Sequence, residues 1–396
     1  MKCKITNKQI TPFMSFGEMP IANGFLKKED FKKEFFFEME VGFSEDLSLF
    51  QLNDHPKPES MFNENYPFYT GSSEYMKGHF IEFANYVKNE HLNSNSKIIE
   101  IGSNDGTLLK NFIENKENIL GIEPSKNVAI QAVEAGVPTL NEFFSLENVS
   151  KLKKFVGNTD LIFSSNCICH IPDLDNLIKG VDLLLSKNGT FIFEEPYLGS
   201  MFNKTSYDQI YDEHIYMFSV SSIKKIFNLY DFELVNALPQ ITHGGSMRYI
   251  IKRKNNSSIS NQLNLILENE KKDKIDTIEA CLKFKKNCET SKEHILSKIS
   301  KIKNEGKKIC GYAATSKSTT ILNYCKIDNS SIDYICDTTP EKINKFSPGM
   351  HIPIVNMEYF HNNQPDSIYL FGWNHKEEIF KKEKNFNGEW FSHVEL

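Results

Sequence analysis

Lys97-Ile98-Ile99-Glu100-Ile101-Gly102-Ser103-Asn104-Asp105-Gly106 is the stretch on which the fold turns. Its first half is a short, mostly apolar run of the kind that forms a buried strand. The small residues after it let the backbone turn sharply and pass close to a ligand, and a helix is expected from about Thr107. Asn118 to Ile122 reads as a second strand, and Ser125 can cap the helix after it. Asp160 to Ser165 is another apolar strand, Pro172 opens a helix near Asp173, and Thr190 to Phe193 is a further strand. This alternation of strands and helices predicts a parallel, doubly wound α/β sheet with crossover helices. A helix near Ser219 to Tyr230 and strands at Glu233 to Asn236 and Met247 to Lys252 extend it.

On the N-terminal side, Phe35 to Phe43 and Asp46 to Leu52 read as short strands, and Pro56 and Pro58 interrupt regular structure beyond them. On the C-terminal side, Asn255 to Glu305 carries Ile and Leu among Lys and Glu at helical spacing, predicting one or two amphipathic helices stopped by Gly306. A second βαβ start comes next: strand Lys308 to Tyr312, small-residue loop Ala313 to Lys317, helix Ser318 to Tyr324 and strand Ile332 to Asp337. The expected organisation is a small N-terminal domain (1–65), a central ligand-binding domain (66–255), and a helical segment plus a second Rossmann-like domain (256–396). A chain of 396 residues is long enough for this.

The chain is 40% hydrophobic, 25% charged and 12% aromatic, which excludes a disordered or collagen-like protein. Lys+Arg at 46 against Asp+Glu at 52 gives a net charge of -6 with no long basic run, arguing against nucleic acid or an anionic membrane surface as partner. Eight cysteines are too sparse for a disulfide framework in a chain this long and read as reduced thiols. Met1 to Pro20 lacks an uninterrupted apolar core, and no later apolar run approaches the ~20 residues needed to cross a bilayer. The expectation is a soluble, cytoplasmic protein. Its oligomeric state is not legible.

Glu123 ends the second strand, where doubly wound folds place a carboxylate against ribose hydroxyls; a solvated strand end before Pro124 is the alternative. No full G-x-G-x-x-G run and no G-x-x-x-x-G-K-[ST] is present, so dinucleotide and triphosphate readings lose ground. E-x-G-x-x-x-G, then a strand, then an acid resembles the S-adenosylmethionine site of class I methyltransferases. That resemblance puts the cofactor at the edge carrying Gly102, with Ser103 and Asn104 against its methionine portion, Glu123 on the ribose, and Asn166 facing it from the end of the Asp160 to Ser165 strand.

Tyr211-Asp212-Glu213-His214 lies beyond the fifth strand among Tyr207, Tyr216 and Phe218. Histidine titrates near neutrality and a neighbouring Glu or Tyr can orient it, so the cluster suits proton transfer, although such a pair is more often packing. The run Tyr211 to Ser219 resembles the Y-x-E-H-x-x-Y-F-S signature of deoxysugar C-methyltransferases, which act on nucleotide-linked 4-keto sugars. Pro20-Ile21-Ala22-Asn23, Ser103 to Gly106, Asn166 with His170 to Asp173, Thr242 to Ser246 and Pro348 to Pro353 match the same family in order. The resemblance implies a class I methyltransferase domain flanked by a small N-terminal domain and a second Rossmann-like domain. It makes His214 the general base, assisted by Tyr211 and Glu213. His170, His243 and Lys317 then face the substrate, and Tyr69, with Tyr66 as competitor, closes the site. The chemistry fits the residue types: a base removes the acidified proton next to a ketone, and the enolate carbon attacks the methyl of a sulfonium. No metal is needed. Cys167-Ile168-Cys169-His170 reads as buried free thiols rather than a metal site.

Relatives of that family begin with a zinc domain holding two C-x-x-C pairs. Here Cys3 remains, but the other ligand positions fall on Thr6, Ser44 and Leu47, so no zinc is expected. In the C-terminal unit the absent dinucleotide fingerprint argues against a nicotinamide cofactor and against a ketoreductase. Lys317 is either a phosphate contact or a solvated helix-start lysine. A sugar O-methyltransferase with the same cofactor and a non-catalytic sugar-nucleotide-binding protein are the remaining alternatives.

Overall fold

A computed structural model describes residues 1–396, with the side chain of Asn115 outside the described set. Strands β1 (Thr11–Pro20), β2 (Phe36–Ser44) and β3 (Leu49–Leu52) pair antiparallel. β1 carries no strand signal that the sequence reading recognised, because two register shifts and a left-handed Gly17 (φ 78°) break its alternation. The expected strand from Asp46 begins only at Leu49, since Glu45–Ser48 form the turn that reverses the chain.

The expected doubly wound unit is present as β4 (Ile98–Ile101), β5 (Ile119–Ile122), β6 (Thr139–Leu140), β7 (Thr159–Ser165) and β8 (Leu185–Pro196). Tyr216–Met217 (β9) leaves this region to pair with β3, so the loop before it is tied to the N-terminal sheet. β10 (Phe232–Gln240) and β11 (Ser246–Arg253) complete a seven-stranded sheet in the order β10-β11-β8-β7-β4-β5-β6, with β11 antiparallel to both neighbours. The strand order reverses direction at β4 and β7, and in open α/β sheets the crevice outside the carboxyl ends at that point binds ligand.

Local chemistry explains most helix starts. Asp173 caps Leu174–Leu184 through Asn176 N, and Ser219 and Ser222 form a capping box at Val220–Phe227. The helix expected from Thr107 is instead a 3-10 segment, Leu109–Asn118, where the Asn111 amide binds the carbonyls of Thr107 and Leu108 and competes with helical pairing. Ser125 sits at the N-cap of Lys126–Glu134 as expected, but its side chain makes no capping bond. Asn255 to Glu305 yields two helices, Asn261–Lys272 and Ile278–Asn304.

The C-terminal sheet is parallel: β12 (Ile309–Tyr312), β13 (Ile335–Cys336), β14 (Ile354–Val355), β15 (Ser367–Leu370) and β16 (Glu389–Phe391), in the order β14-β13-β12-β15-β16. β13 is shorter than expected because Ile332 N bonds to Asp328 O in a turn. One apolar cluster joins Phe13, Phe43 and Phe50 of the N-terminal sheet to Phe284 of the long helix and Ile321 of the C-terminal unit. All eight cysteines are free thiols. Among the described residues no helix is long and apolar enough to cross a membrane.

A buried polar triad lies in the central domain. Glu194 on β8 receives Arg248 Nε from β11 at 2.6 Å and contacts His79 Nε2 at 2.6 Å, and the Arg248 guanidinium lies 4.1 Å from the centre of the Phe83 ring. Cross-strand register sets Arg248 directly opposite Glu194.

Candidate active site

β4 ends in a turn that folds back on β5: Gly102 N and Ser103 N both donate to Ile122 O, at 2.8 and 3.2 Å. Gly102 has φ 71°, and a Cβ there would lie 2.4 Å from Cys167 Sγ, so the position requires glycine. Asn104 (φ 47°) and Asn166 (φ 53°) take left-handed conformations at the ends of their strands. Glu123 accepts Asn104 N at 3.0 Å and Ser125 N at 2.7 Å. Burial pushes its carboxyl above the usual carboxylate range, with these two N–H donors pulling the other way.

Glu100 Oε2, Ser103 Oγ and Asn166 Oδ1 are buried without a hydrogen-bond partner. Buried polar atoms are normally paired, so three orphans at one sheet edge mark a place for a polar ligand, and they fit a group carrying amino-acid and ribose functions. A cavity of about 20 Å³ lies there, lined by Thr70, Glu100, Gly102, Ser103 and Asn104 among others. Across its mouth runs the strap 66–73, whose Thr70 N and Gly71 N donate to Asn104 Oδ1 (3.0 Å) and Asp105 Oδ2 (2.7 Å). Gly102, Ser103, Asn104, Glu123 and Asn166 thus lie around one edge. Thr70 and Glu100 are additional lining residues, and nothing in the sequence near Thr70 announces a contact 34 positions away.

The loop 205–215 carries the second half of the site. His214 Nδ1 faces the Gln209 carbonyl at 2.7 Å, which can only accept, so Nδ1 holds the proton. Nε2 is then the acceptor, and the Tyr211 hydroxyl donates to it at 2.7 Å. Burial is the main cause that holds this imidazole well below its usual range, with smaller contributions from His170, His243 and Lys317 in the same direction. At neutral pH the ring is neutral with a basic lone pair. His170 stacks on it with ring centroids 5.2 Å apart, its Nε2 buried without a partner and its acidity moved to about 3 by burial.

His170, His243 and Lys317 are therefore gathered around His214. Lys317 is only 8% exposed, its Nζ 5.0 Å from the Trp373 ring centre and 3.4 Å from Asn374 Oδ1, which removes the reading of a solvated helix-start lysine. Tyr69 is placed differently from expectation: its hydroxyl accepts from Asn127 Nδ2 at 2.8 Å. The competitor Tyr66 is the one that reaches the loop, donating to Glu213 Oε2 at 3.2 Å.

Cys169, His170 and His214 bring ligand-type atoms within 4.8 Å of one another. These are poor metal donors as arranged. Both His214 nitrogens are hydrogen-bonded, and burial together with the Glu195 carboxylate keeps the Cys169 thiol protonated. Instead the N–H groups of Cys167, Ile168 and Cys169 converge on Glu195 Oε1, at 3.0, 2.6 and 3.3 Å, holding the turn against β8.

The loop is braced from distant parts of the chain that sequence reading did not connect to it. Trp373 Nε1 donates to Asp208 Oδ2 at 2.7 Å, and His393 Nε2 lies 3.0 Å from Asp208 Oδ1. Thr320 Oγ1 donates to Ile210 O at 2.8 Å. The C-terminal unit thereby holds the loop in place.

At the N-terminus, Cys3 Sγ accepts Thr6 N at 3.5 Å in a tight hook, and Cys3 packs in one apolar cluster with Leu47 and Leu49. Thr6 Oγ1 is buried without a partner, and Gln51 clamps the hook through Lys4 N and Lys2 O. One thiol beside leucines does not supply the four donors of a tetrahedral zinc site.

Residues 241–394 match the family of a C-methyltransferase C-terminal domain, residues 74–237 that of a methyltransferase domain, and residues 3–62 that of a zinc binding domain. C-methyltransferase NovU of Streptomyces niveus is 27% identical over 376 residues, covering 94% of this chain and 89% of that protein. Among solved structures, a SAM-dependent methyltransferase from Anabaena variabilis is 17% identical with a TM-score of 0.35, covering 44% of this chain and 83% of its own. A Pyrococcus horikoshii protein is 14% identical with a TM-score of 0.37, covering 48% and 96%.

Proposed function

This chain is an S-adenosylmethionine-dependent methyltransferase carrying the domain set of the C-methyltransferases, and from that premise we propose that it methylates carbon in a nucleotide-linked keto-deoxysugar. The observation that carries the reading is the buried, neutral His214 with Nδ1 tied to Gln209 O and Nε2 unprotonated beside the Tyr211 hydroxyl. His214 Nε2 accepts the proton from the carbon next to the ketone. Tyr211, 2.7 Å away, turns its hydroxyl toward the developing enolate oxygen. Glu213 orders this loop, and His170, His243 and Lys317 face the sugar and its phosphates. Gly102, Ser103, Asn104, Glu123 and Asn166 hold the cofactor, which supplies an electrophilic methyl group when bound. O-methylation would need the same base but no carbon acid. The residue types at the site leave that as the alternative, and heavy-water exchange separates the two.

Glu123→Ala should weaken S-adenosylmethionine binding by about 1.5–3 kcal/mol, or ~10–150-fold, the worth of a hydrogen bond to a charged group. Calorimetry checks it, with Glu123→Gln as a partner that keeps the side chain's size. Unchanged affinity in both variants would move the cofactor elsewhere.

The protein should carry no stoichiometric zinc and keep its melting temperature in a strong chelator. Support comes from Thr6, Ser44 and Leu47 at the expected ligand positions and from the leucine packing around Cys3. One zinc per chain by elemental analysis would overturn this reading of the N-terminal domain.

A further inference from the structure

Pro20-Ile21-Ala22-Asn23 runs from the last residue of β1 into the turn after it, and none of the chemistry above uses it. Its place in the fold gives it one. Ala22 N donates to Asp212 Oδ1 at 3.1 Å, and Ala22 O accepts Thr319 Oγ1 at 2.9 Å, so this turn is pinned between the 205–215 loop and the C-terminal unit. Asn23 is presented by the pinned turn, and its Nδ2 donates to Glu213 Oε1 at 2.6 Å. Tyr66 supplies the donor to the other oxygen. Glu213 is 3% exposed, so these two groups replace the water a carboxylate would otherwise have.

We propose that Asn23 is the positioning residue for Glu213, aiming this carboxyl group and favouring its ionised form for the proton-transfer chemistry of the Tyr211–His214 pair. The inference rests on the reading of Glu213 as a working member of the site. Its chemistry comes from donor direction. An amide N–H and a phenol O–H favour the charged, accepting form of a carboxylate, whereas burial favours the neutral form. The balance leaves Glu213 at about 7, raised by burial and drawn back by Asn23 and Tyr66. The other groups that face it are Asp212 and Tyr211 from its own loop and Cys169 from the turn after β7. None of the three donates to Glu213, so Asn23 and Tyr66 are the two side-chain donors that draw its titration back down against burial.

The sign is fixed. Removing a donor to the ionised form raises the proton affinity of Glu213, so its titration moves to higher pH. Infrared difference spectroscopy of the free protein, native against Glu213→Gln, isolates the Glu213 carboxyl band and needs no substrate. In Asn23→Ala the midpoint should rise by about one to two pH units, the worth of one charge-assisted hydrogen bond. Asn23→Gln, which keeps an amide donor, should restore part of the shift, and Tyr66→Phe should move the midpoint the same way. Heavy-water exchange into a nucleotide-linked 4-keto sugar is the companion reading. Its rate in Asn23→Ala should recover toward native as pH is raised past the new midpoint. A midpoint unmoved in both Asn23→Ala and Tyr66→Phe overturns the proposal, as does an exchange rate lowered equally at every pH, the mark of a merely structural role. If Glu213→Gln itself exchanges like native protein, the failure lies in the role given to Glu213 and not in the Asn23 contact.

Discussion

Solvent deuterium uptake at the carbon next to the ketone of a nucleotide-linked 4-keto sugar is expected to fall ~10²–10⁴-fold in His214→Ala, the usual cost of losing a general base. The experiment uses NMR in heavy water with native protein and the demethylated cofactor, against an enzyme-free baseline. Exchange needs only deprotonation, so it isolates the base from methyl transfer. Geometry makes the expectation specific. The Gln209 carbonyl holds the proton on Nδ1 and burial holds the ring neutral, so Nε2 is the unprotonated nitrogen, facing the Tyr211 hydroxyl that must turn away for it to take a proton. Tyr211→Phe should lose less, because the base remains and only its hydroxyl neighbour is gone. A hydroxyl proton equilibrates with water unaided, so an O-methyltransferase has no reason to catalyse uptake at carbon. Equal exchange in native protein and His214→Ala would remove His214 as the base.

Arg248→Ala is expected to cost about 3–5 kcal/mol of stability, the range for stripping one partner from a buried ion pair. The size reflects the group left behind: Glu194, 1% exposed, would keep only His79. Burial alone would raise the Glu194 carboxyl, yet His79 and Arg248 together draw it below its usual range. A depressed acid contributes stability above its unfolded pKa of about 4.3 and loses it as pH falls through the folded value, so native protein should weaken in acid below that point. In Arg248→Met this acid dependence should shrink along with the stability. Urea unfolding reads both, as a lower midpoint at unchanged slope. Replacing all three members by apolar residues of similar volume should recover much of the loss, since the desolvation cost then disappears as well. A native-like midpoint in Arg248→Ala would make the triad a spectator. The backbone carbonyl of Glu194 also accepts Asn166 N at 2.8 Å, so the triad lies one hydrogen bond from the strand end that carries Asn166.

The central domain was legible because its signals are local. Apolar runs at strand length, a small-residue turn after β4 and an acid after β5 recur within one βαβ unit, and chain connectivity alone brings Gly102, Asn104 and Glu123 to one edge. Tyr211 and His214 are three residues apart, so their contact needs only a tight loop. Where local reading failed, a competing interaction decided the outcome: the Asn111 amide turned an expected helix into a 3-10 segment, and bulges hid β1.

What only the tertiary structure decided is how that loop is held. Asn23 meets Glu213 across 190 positions, Trp373 meets Asp208 across 165, and Tyr66 meets Glu213 across 147. Hydrophobic periodicity records which face of an element is buried, because that is a property of the element itself. A polar contact between distant segments records which buried faces meet, and a single asparagine or tryptophan carries the same local signal whether or not a carboxylate waits on the other side.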